Sequence, residues 1–337
     1  MIIIFKTSAT QDQVAHVVEK VQELKLNPMV ARGTLKTVIN VLGDEEVIRE
    51  APLQTFPGVE KVIPVMKKYK LVSREGHDQK TVVQIGENAR LGDGKLSVIA
   101  GPCSVESRDQ LFGIAGKVVK SGAIAVRGGA FKPRTSPYSF QGLGEEGLKY
   151  LQEMSQEFSV PCVTEVMDNR DVDLVVKYAD VLQVGARNMQ NFSLLKQLGQ
   201  CGKPVILKRG MSATIEDLLQ AAEYIAASGN LNIVLCERGI RTFETAIRNS
   251  FDVSSVPVLK SLTHLPIIID PSHAAGVWEY VAPLAFAGVA AGADGVIVEV
   301  HEEPEKALSD GPQALLPAKF ESLMLKMNAI ADIVKEG

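Results

Sequence analysis

Cysteine is scarce: the chain has 4 in 337 residues, Cys103, Cys162, Cys201 and Cys236, widely spaced and without a CxxC pair. That excludes a small disulfide-stapled scaffold and predicts free thiols. Long apolar runs are also missing. The N-terminal run Ile2 to Phe5 is far too short for a signal peptide or a membrane span, and no basic segment precedes it, so a cytoplasmic protein is expected. An excess of charge is missing too. A formal net charge of -4 argues against nucleic acid or an anionic membrane as partner, so any cluster of cations must be local and suited to a small anion. What is present, 46% hydrophobic and 23% charged residues, is the composition of a globular chain with a sizeable core, long enough for one large or two modest domains.

Residues 1–70 read as a unit of their own. Ile2 to Phe5 has strand character, and Val14, Val17, Val18, Val21 and Leu24 then recur at helical spacing. Met29 to Ala31, Lys36 to Leu42, a short helix near Glu45 to Leu53, and Val59 to Met66 complete a β-α-β-β-α-β order, the split βαβ arrangement of a small α+β module. Such a module leaves one face of its sheet open for a second copy or a small effector. Residues 71–95 are polar and read as a linker with an extra strand around Thr81 to Ile85, closed by Gly92-Asp93-Gly94.

From residue 96 to 337, strand-type runs alternate with helical patterns. The runs are Leu96–Ala100, Ala123–Val126, Pro161–Val166, Asp180–Val184, Val205–Leu207, Ile233–Leu235, Pro266–Ile269 and Gly295–Val298. Eight β-α units over roughly 240 residues predict a closed (β/α)8 barrel rather than an open doubly wound sheet. Cys103, Arg127, Glu165, Arg187, Lys208, Arg238, Asp270 with His273, and Glu299 stand just past the C-terminal ends of these runs. Closure would gather them at one mouth, which an open sheet could not do.

The most unusual stretch is Arg127 to Gly144, where Arg127, Lys132 and Arg134 sit among glycines, prolines and hydroxyls. Glycines permit close backbone approach and prolines fix φ, so this is a rigid strand-end loop aimed at an anion such as phosphate. With Arg187, Lys208, Arg209 and Arg238 on the same face there are too many cations for one phosphate, and few carboxylates to neutralise them beyond Glu165 and Glu237. Cys103, His273, Glu299 and Asp310 offer one sulfur, one imidazole and two carboxylates. A lone buried thiol is ordinarily inert. Brought together by a barrel, however, this set suits Mn²⁺, Fe²⁺, Co²⁺ or Zn²⁺ and disfavours Ca²⁺ or Mg²⁺.

Gly101-Pro102-Cys103-Ser104, Arg127 through Ser136 with its Lys-Pro-Arg-Thr core, Gly185-Ala186-Arg187-Asn188, Leu207-Lys208-Arg209-Gly210, Cys236-Glu237-Arg238-Gly239 and Asp270-Pro271-Ser272-His273 together resemble the 3-deoxy-D-arabino-heptulosonate 7-phosphate synthases. The resemblance spans the whole barrel. Residues 1–70 look like the ferredoxin-like control domain of the short microbial branch, though their own motifs are weaker. The resemblance implies a TIM barrel preceded by that domain, condensing phosphoenolpyruvate with erythrose 4-phosphate and releasing phosphate at the head of the shikimate pathway. It implies Arg127, Lys132 and Lys208 around the phosphoenolpyruvate carboxylate, and Arg187 and Arg238 on its phosphate. Arg134 and Thr135 would take the phosphate of erythrose 4-phosphate, and Asp270 its hydroxyls. A divalent transition metal on Cys103, His273, Glu299 and Asp310 would polarise the aldehyde, Lys132 would supply a proton, and either Glu165 or the metal would assist the water that adds at C2. A homo-oligomer, a tetramer by family likeness, and a tyrosine or phenylalanine effector are further expectations.

The nearest rival is the sister enzyme that makes 3-deoxy-D-manno-octulosonate 8-phosphate from arabinose 5-phosphate, in which Ala-Asn typically replaces Pro133-Arg134. A non-catalytic sensor of aromatic amino acids is the rival from another class. It would need none of the metal and phosphate residues. No three-helix chorismate mutase segment is legible at either end.

Overall fold

A computed structural model describes residues 1–32, 36–42, 52–63, 68–75, 77, 79–134 and 136–335. The chain forms two compact units, Met1–Lys68 and Tyr69–Gly337. In the first, β1 (Ile2–Phe5), β2 (Asn27–Arg32), β3 (Thr37–Leu42) and β4 (Val59–Ile63) make an antiparallel sheet of order β2-β3-β1-β4. This is the ferredoxin-like order. Helix α1 (Gln11–Glu23) starts at a capping box in which Thr10 and Gln13 each bond the other's backbone N–H. Its Val14, Val17 and Val21 pack on Ile3 and Phe5, the alternate residues of β1 that face inward. The helix expected near Glu45 to Leu53 falls mostly outside the described residues, and Leu53–Thr55 is a 3-10 turn. The strand expected as far as Met66 is described to Ile63.

The second unit is a closed eight-stranded parallel barrel. Its strands are β7 (Ser97–Gly101), β8 (Ala125–Arg127), β9 (Cys162–Val166), β10 (Val181–Val184), β11 (Val205–Lys208), β12 (Ile233–Glu237), β13 (Ile267–Ile269) and β14 (Gly295–Glu299). Each begins within two residues of its expected place. The runs are apolar on both faces because a parallel strand is covered by helices outside and by other strands inside. Val98, Val126, Leu182, Leu207 and Val298 face the helical layer, whereas Ile99, Ala125, Val163, Val181, Ile206, Val234, Ile268 and Ile297 meet in the barrel interior.

The stretch read as a linker does more than connect. Residues 83–84 and 90–91 pair as a hairpin, β5 (Val83–Gln84) with β6 (Arg90–Leu91), and Val83, Ile85, Ala89 and Leu91 join the interior cluster. Gly86 lies against Pro161 and Gly92 against Pro266, the residues just before β9 and β13, so the hairpin plugs the N-terminal end of the barrel. Gly92 has φ +88°, and a Cβ there would stand 2.6 Å from the Thr81 carbonyl, which makes the residue obligatory for that approach.

Candidate active site

The period of two along a strand builds the site. In seven strands the inward residue two beyond the interior apolar position is Gly101, Arg127, Glu165, Gln183, Lys208, Asp270 or Glu299; in β12 that place is taken by Cys236, and Arg238 follows two residues later. One apolar layer thus supports one polar layer at the C-terminal mouth. Gly101 is the small member because a Cβ there would stand 2.1 Å from the Arg127 carbonyl oxygen. Gly185 gives similar room to the Glu165 carboxylate, whose Oε1 would lie 2.0 Å from an added Cβ.

Cys103, Glu299 and Asp310 offer donor atoms that all lie within 4.8 Å of one another. His273 adjoins them, its Nε2 3.5 Å from Glu299 Oε1, and Cys103 Sγ is 3.4 Å from Asp310 Oδ2. Burial, and next the charge of Glu299, push the Cys103 thiol up to about 11. Burial also opposes the charge of Glu299, but His273 and Arg127 outweigh it and hold the carboxyl below its usual range. A thiol and two carboxylates converging beside an imidazole, mostly out of water, form a donor set that a divalent transition ion would satisfy and that repels itself otherwise. The residues fit such an ion. Glu299 is held from both sides, Oε1 accepting from Arg127 Nη1 at 2.7 Å and Oε2 from Gln313 Nε2 at 2.7 Å. Asp270 caps the Pro271–Ala275 turn through the His273 N–H and lies 2.7 Å from His273 Nδ1. Its burial would raise its pKa, yet His273 and Lys208 keep it well below the usual carboxylate range.

Beside the donor set opens a cavity of about 360 Å³ lined by Lys132, Arg134, Glu165, Gln183, Arg187, Lys208, Arg238, Arg248, His273 and Asp310, among others. The sequence led us to expect few carboxylates among these cations, and that needs correction. Glu299 pairs with Arg127, Asp270 with Lys208, and Glu237 together with Asp252 with Arg209. Arg209 therefore belongs to a buried structural bridge and does not line the cavity. Among the described residues, no carboxylate lies within ion-pair distance of Lys132, Arg134, Arg187 or Arg238. Burial pushes the pKa of the Arg238 guanidinium down, and the group donates to the carbonyls of Gly239 and His273. Lys132 Nζ donates to the Cys103 carbonyl at 2.6 Å, which sets the ammonium beside the donor set.

Of the expected residues, Arg127, Asp270, Cys103 and Glu299 stand behind the cavity wall rather than in it, and Thr135 lies outside the described residues. Among the cavity residues that were missed are Gln183 and Arg248. Gln183 had a signal, a lone amide in the otherwise apolar run Val181–Val184. Arg248 had none; it arrives on an exposed loop and reaches Gln313 at 2.8 Å and Asp310 at 3.5 Å.

The fold and this mouth define a (β/α)8 barrel that sets a cluster of thiol, imidazole and carboxylates beside a cavity rich in cations. Residues 78–336 match the DAHP synthetase I family, and residues 1–67 the DAHP synthase ferredoxin-like domain. The chain belongs to the DAHP synthetase I family. It is 48% identical over 332 residues to the phospho-2-dehydro-3-deoxyheptonate aldolase of Thermotoga maritima, covering 98% of each chain. The crystal structure of a DAHP synthase from that organism superposes with a TM-score of 0.94 at 46% identity, covering 99% of this chain and 98% of the other. A 2-dehydro-3-deoxyphosphooctonate aldolase of Syntrophobacter fumaroxidans is 34% identical over 264 residues, which are 73% of this chain and 91% of that protein.

Proposed function

We propose that this chain is a 3-deoxy-7-phosphoheptulonate synthase, joining phosphoenolpyruvate, erythrose 4-phosphate and water into the seven-carbon product and inorganic phosphate. The observation that carries the reading is the set of cavity cations, Lys132, Arg134, Arg187 and Arg238, without carboxylate partners among the described residues, next to the Cys103, Glu299 and Asp310 cluster. Lys132 and Arg238 are buried, and buried cations without a counter-charge await anions. Arg187 and Arg238 bind the phosphate of phosphoenolpyruvate, while Lys208 and Lys132 hold its carboxylate. Arg127 joins them through the N–H groups that Glu299 and the Pro102 carbonyl leave free. Arg134 and Thr135 hold the phosphate of erythrose 4-phosphate, and Asp270 its hydroxyls.

With both substrates bound, C3 of phosphoenolpyruvate forms the new bond to the aldehyde carbon. Lys132 gives its proton to the aldehyde oxygen as that oxygen becomes a hydroxyl. Glu165, which is bonded by Gln183 at 3.3 Å, orients and deprotonates the water that adds at C2, after which the C2–O bond to phosphate breaks. Cys103, His273, Glu299 and Asp310 would hold a divalent transition ion, which when bound would supply Lewis acidity toward the aldehyde oxygen.

Phosphate release measured with phosphoenolpyruvate and either erythrose 4-phosphate or arabinose 5-phosphate tests the reading. Turnover with the four-carbon acceptor is expected, and turnover with arabinose 5-phosphate alone would transfer the chain to the sister activity. Arg134→Ala should raise KM for erythrose 4-phosphate about 10-fold or more, the worth of a charged hydrogen bond, with that for phosphoenolpyruvate nearly unchanged.

The role of the unit Met1–Lys68 in this reading is control: tyrosine or phenylalanine binds this unit of a homo-oligomer, a tetramer by family likeness, and inhibits. A chain beginning at Tyr69, which keeps the hairpin plug, should retain activity and lose the inhibition. A full-length enzyme indifferent to both amino acids would remove the effector from the proposal.

A further inference from the structure

Asp310 reaches the donor set from an irregular stretch. Between the end of β14 at Glu299 and the helix that starts at Pro317 the regular structure is two 3-10 turns, Pro304–Lys306 and Gly311–Gln313, and one β-bridge that joins Val300 to Leu315. Asp310 itself has φ +48°, a left-handed conformation that a non-glycine residue keeps only where its surroundings impose it. The two residues before Asp310 bond the loop after β7, next to Cys103. The Ser309 and Ser104 hydroxyls bond each other at 2.6 Å in a buried contact. Glu106 Oε1 accepts from the Leu308 N–H at 2.8 Å and from the Ser104 hydroxyl at 3.3 Å. Glu106 Oε2 stands 3.7 Å from His301 Nε2, and His301 Nδ1 accepts from the Glu303 N–H at 3.1 Å. Glu106 is itself fixed, its N–H donating to Gln110 Oε1, while Gln110 Nε2 donates to the Ser104 carbonyl.

We propose that Glu106 is a positioning residue for the metal centre: its carboxylate clasps the loop bearing Asp310 to the loop bearing Cys103. It touches neither substrate nor ion. Without the clasp, Asp310 must lose its loop freedom at the moment of metal binding, so affinity falls although every ligand is still present. The proposal rests on the metal reading of Cys103, His273, Glu299 and Asp310.

Co²⁺ binding by the full-length protein provides the test, read by calorimetry and by the intensity and position of the visible and thiolate-to-cobalt bands. Wild type tests the underlying reading, since absence of a thiolate-to-cobalt band there would sink the metal site itself. Given that band, Glu106→Ala should weaken Co²⁺ binding about 10- to 100-fold, the usual cost of losing a group that orients a ligand, and should alter the visible bands while the thiolate band from Cys103 persists. Glu106→Gln keeps an oxygen for the Leu308 N–H and should fall between the two. Wild-type affinity and bands in Glu106→Ala would overturn the proposal. Should that variant fail to fold by circular dichroism, Ser309→Ala decides the matter: weakened Co²⁺ binding with an intact thiolate band supports the clasp, and unchanged binding overturns it.

Discussion

The two ends of the barrel are made by the same eight strands and solve opposite problems. At the N-terminal end the hairpin of Val83–Gln84 and Arg90–Leu91 closes the interior with apolar side chains, and polar side chains beside it bond within the protein. His264 is an instance: its Nε2 faces the Leu71 carbonyl at 2.8 Å and its Nδ1 the Thr81 hydroxyl at 2.6 Å. At the C-terminal end the layer above the same core is charged, and part of its cation set has no protein partner among the described residues. The closed end gives stability, and the open end gives up some of it to hold groups ready for a ligand. Substitutions at the two ends should therefore separate activity from stability.

The largest effect is expected from the donor set. Chelation should abolish turnover, and Mn²⁺ or Co²⁺ should restore it; full activity in exhaustively metal-free protein would break the comparison at its mouth end. Cys103→Ser should weaken metal binding severely, whereas Cys201→Ser, a partly buried thiol ahead of β11 and so at the opposite end of that strand from Lys208, should change little. Next comes Lys132→Met, expected to lower kcat roughly 100-fold or more, with a smaller change in KM, because an acid acting on a developing alkoxide matters most in the transition state. A rise in KM at constant kcat would make Lys132 a binding residue only.

At the other end the readout changes. Leu91→Ala, at a fully buried side chain of the hairpin plug, should cost about 2–5 kcal/mol of stability in denaturant unfolding and leave kcat per folded molecule unchanged. A comparable fall in kcat would mean that the two ends are coupled. The smallest effect concerns His264. Burial lowers its pKa, as do His77, which stacks on its ring, and Arg74, and these outweigh the opposing pull of the Leu71 carbonyl. The unfolded chain therefore takes up this proton before the folded one does. Stability is whole above the ordinary imidazole value of about 6.5 and declines as pH falls below it towards the lower folded pKa. Melting temperatures of wild type and His264→Gln should converge as pH falls through that window, and parallel curves would count against it.

Much of the closed architecture was readable in the chain, because buried parallel strands must be apolar on both faces and their runs recur between helical patterns, as Ile233–Leu235 and Gly295–Val298 do. The hairpin plug was not read in full: its two strands have only two residues each and no periodicity to detect. The cations were found by type and position but not by state. Nothing in the order of residues says that Arg209 turns to Glu237 and Asp252 while Arg238 stays unpaired, since these partners are 28 and 43 residues away from Arg209 and meet it only through the closure of the barrel.

The sequence by itself determined the strands, the mouth residues and, through the Lys-Pro-Arg-Thr loop and the strand-end motifs, the chemistry they resemble, because local period and residue type are properties of the chain alone. Only the tertiary structure decided which carboxylate neutralises which cation, that Gln183 and Arg248 enter the cavity, and that Asp310 is held beside Cys103 by Glu106. Pairing energies and burial depend on distances between residues remote in sequence, and those distances exist only once the barrel has closed.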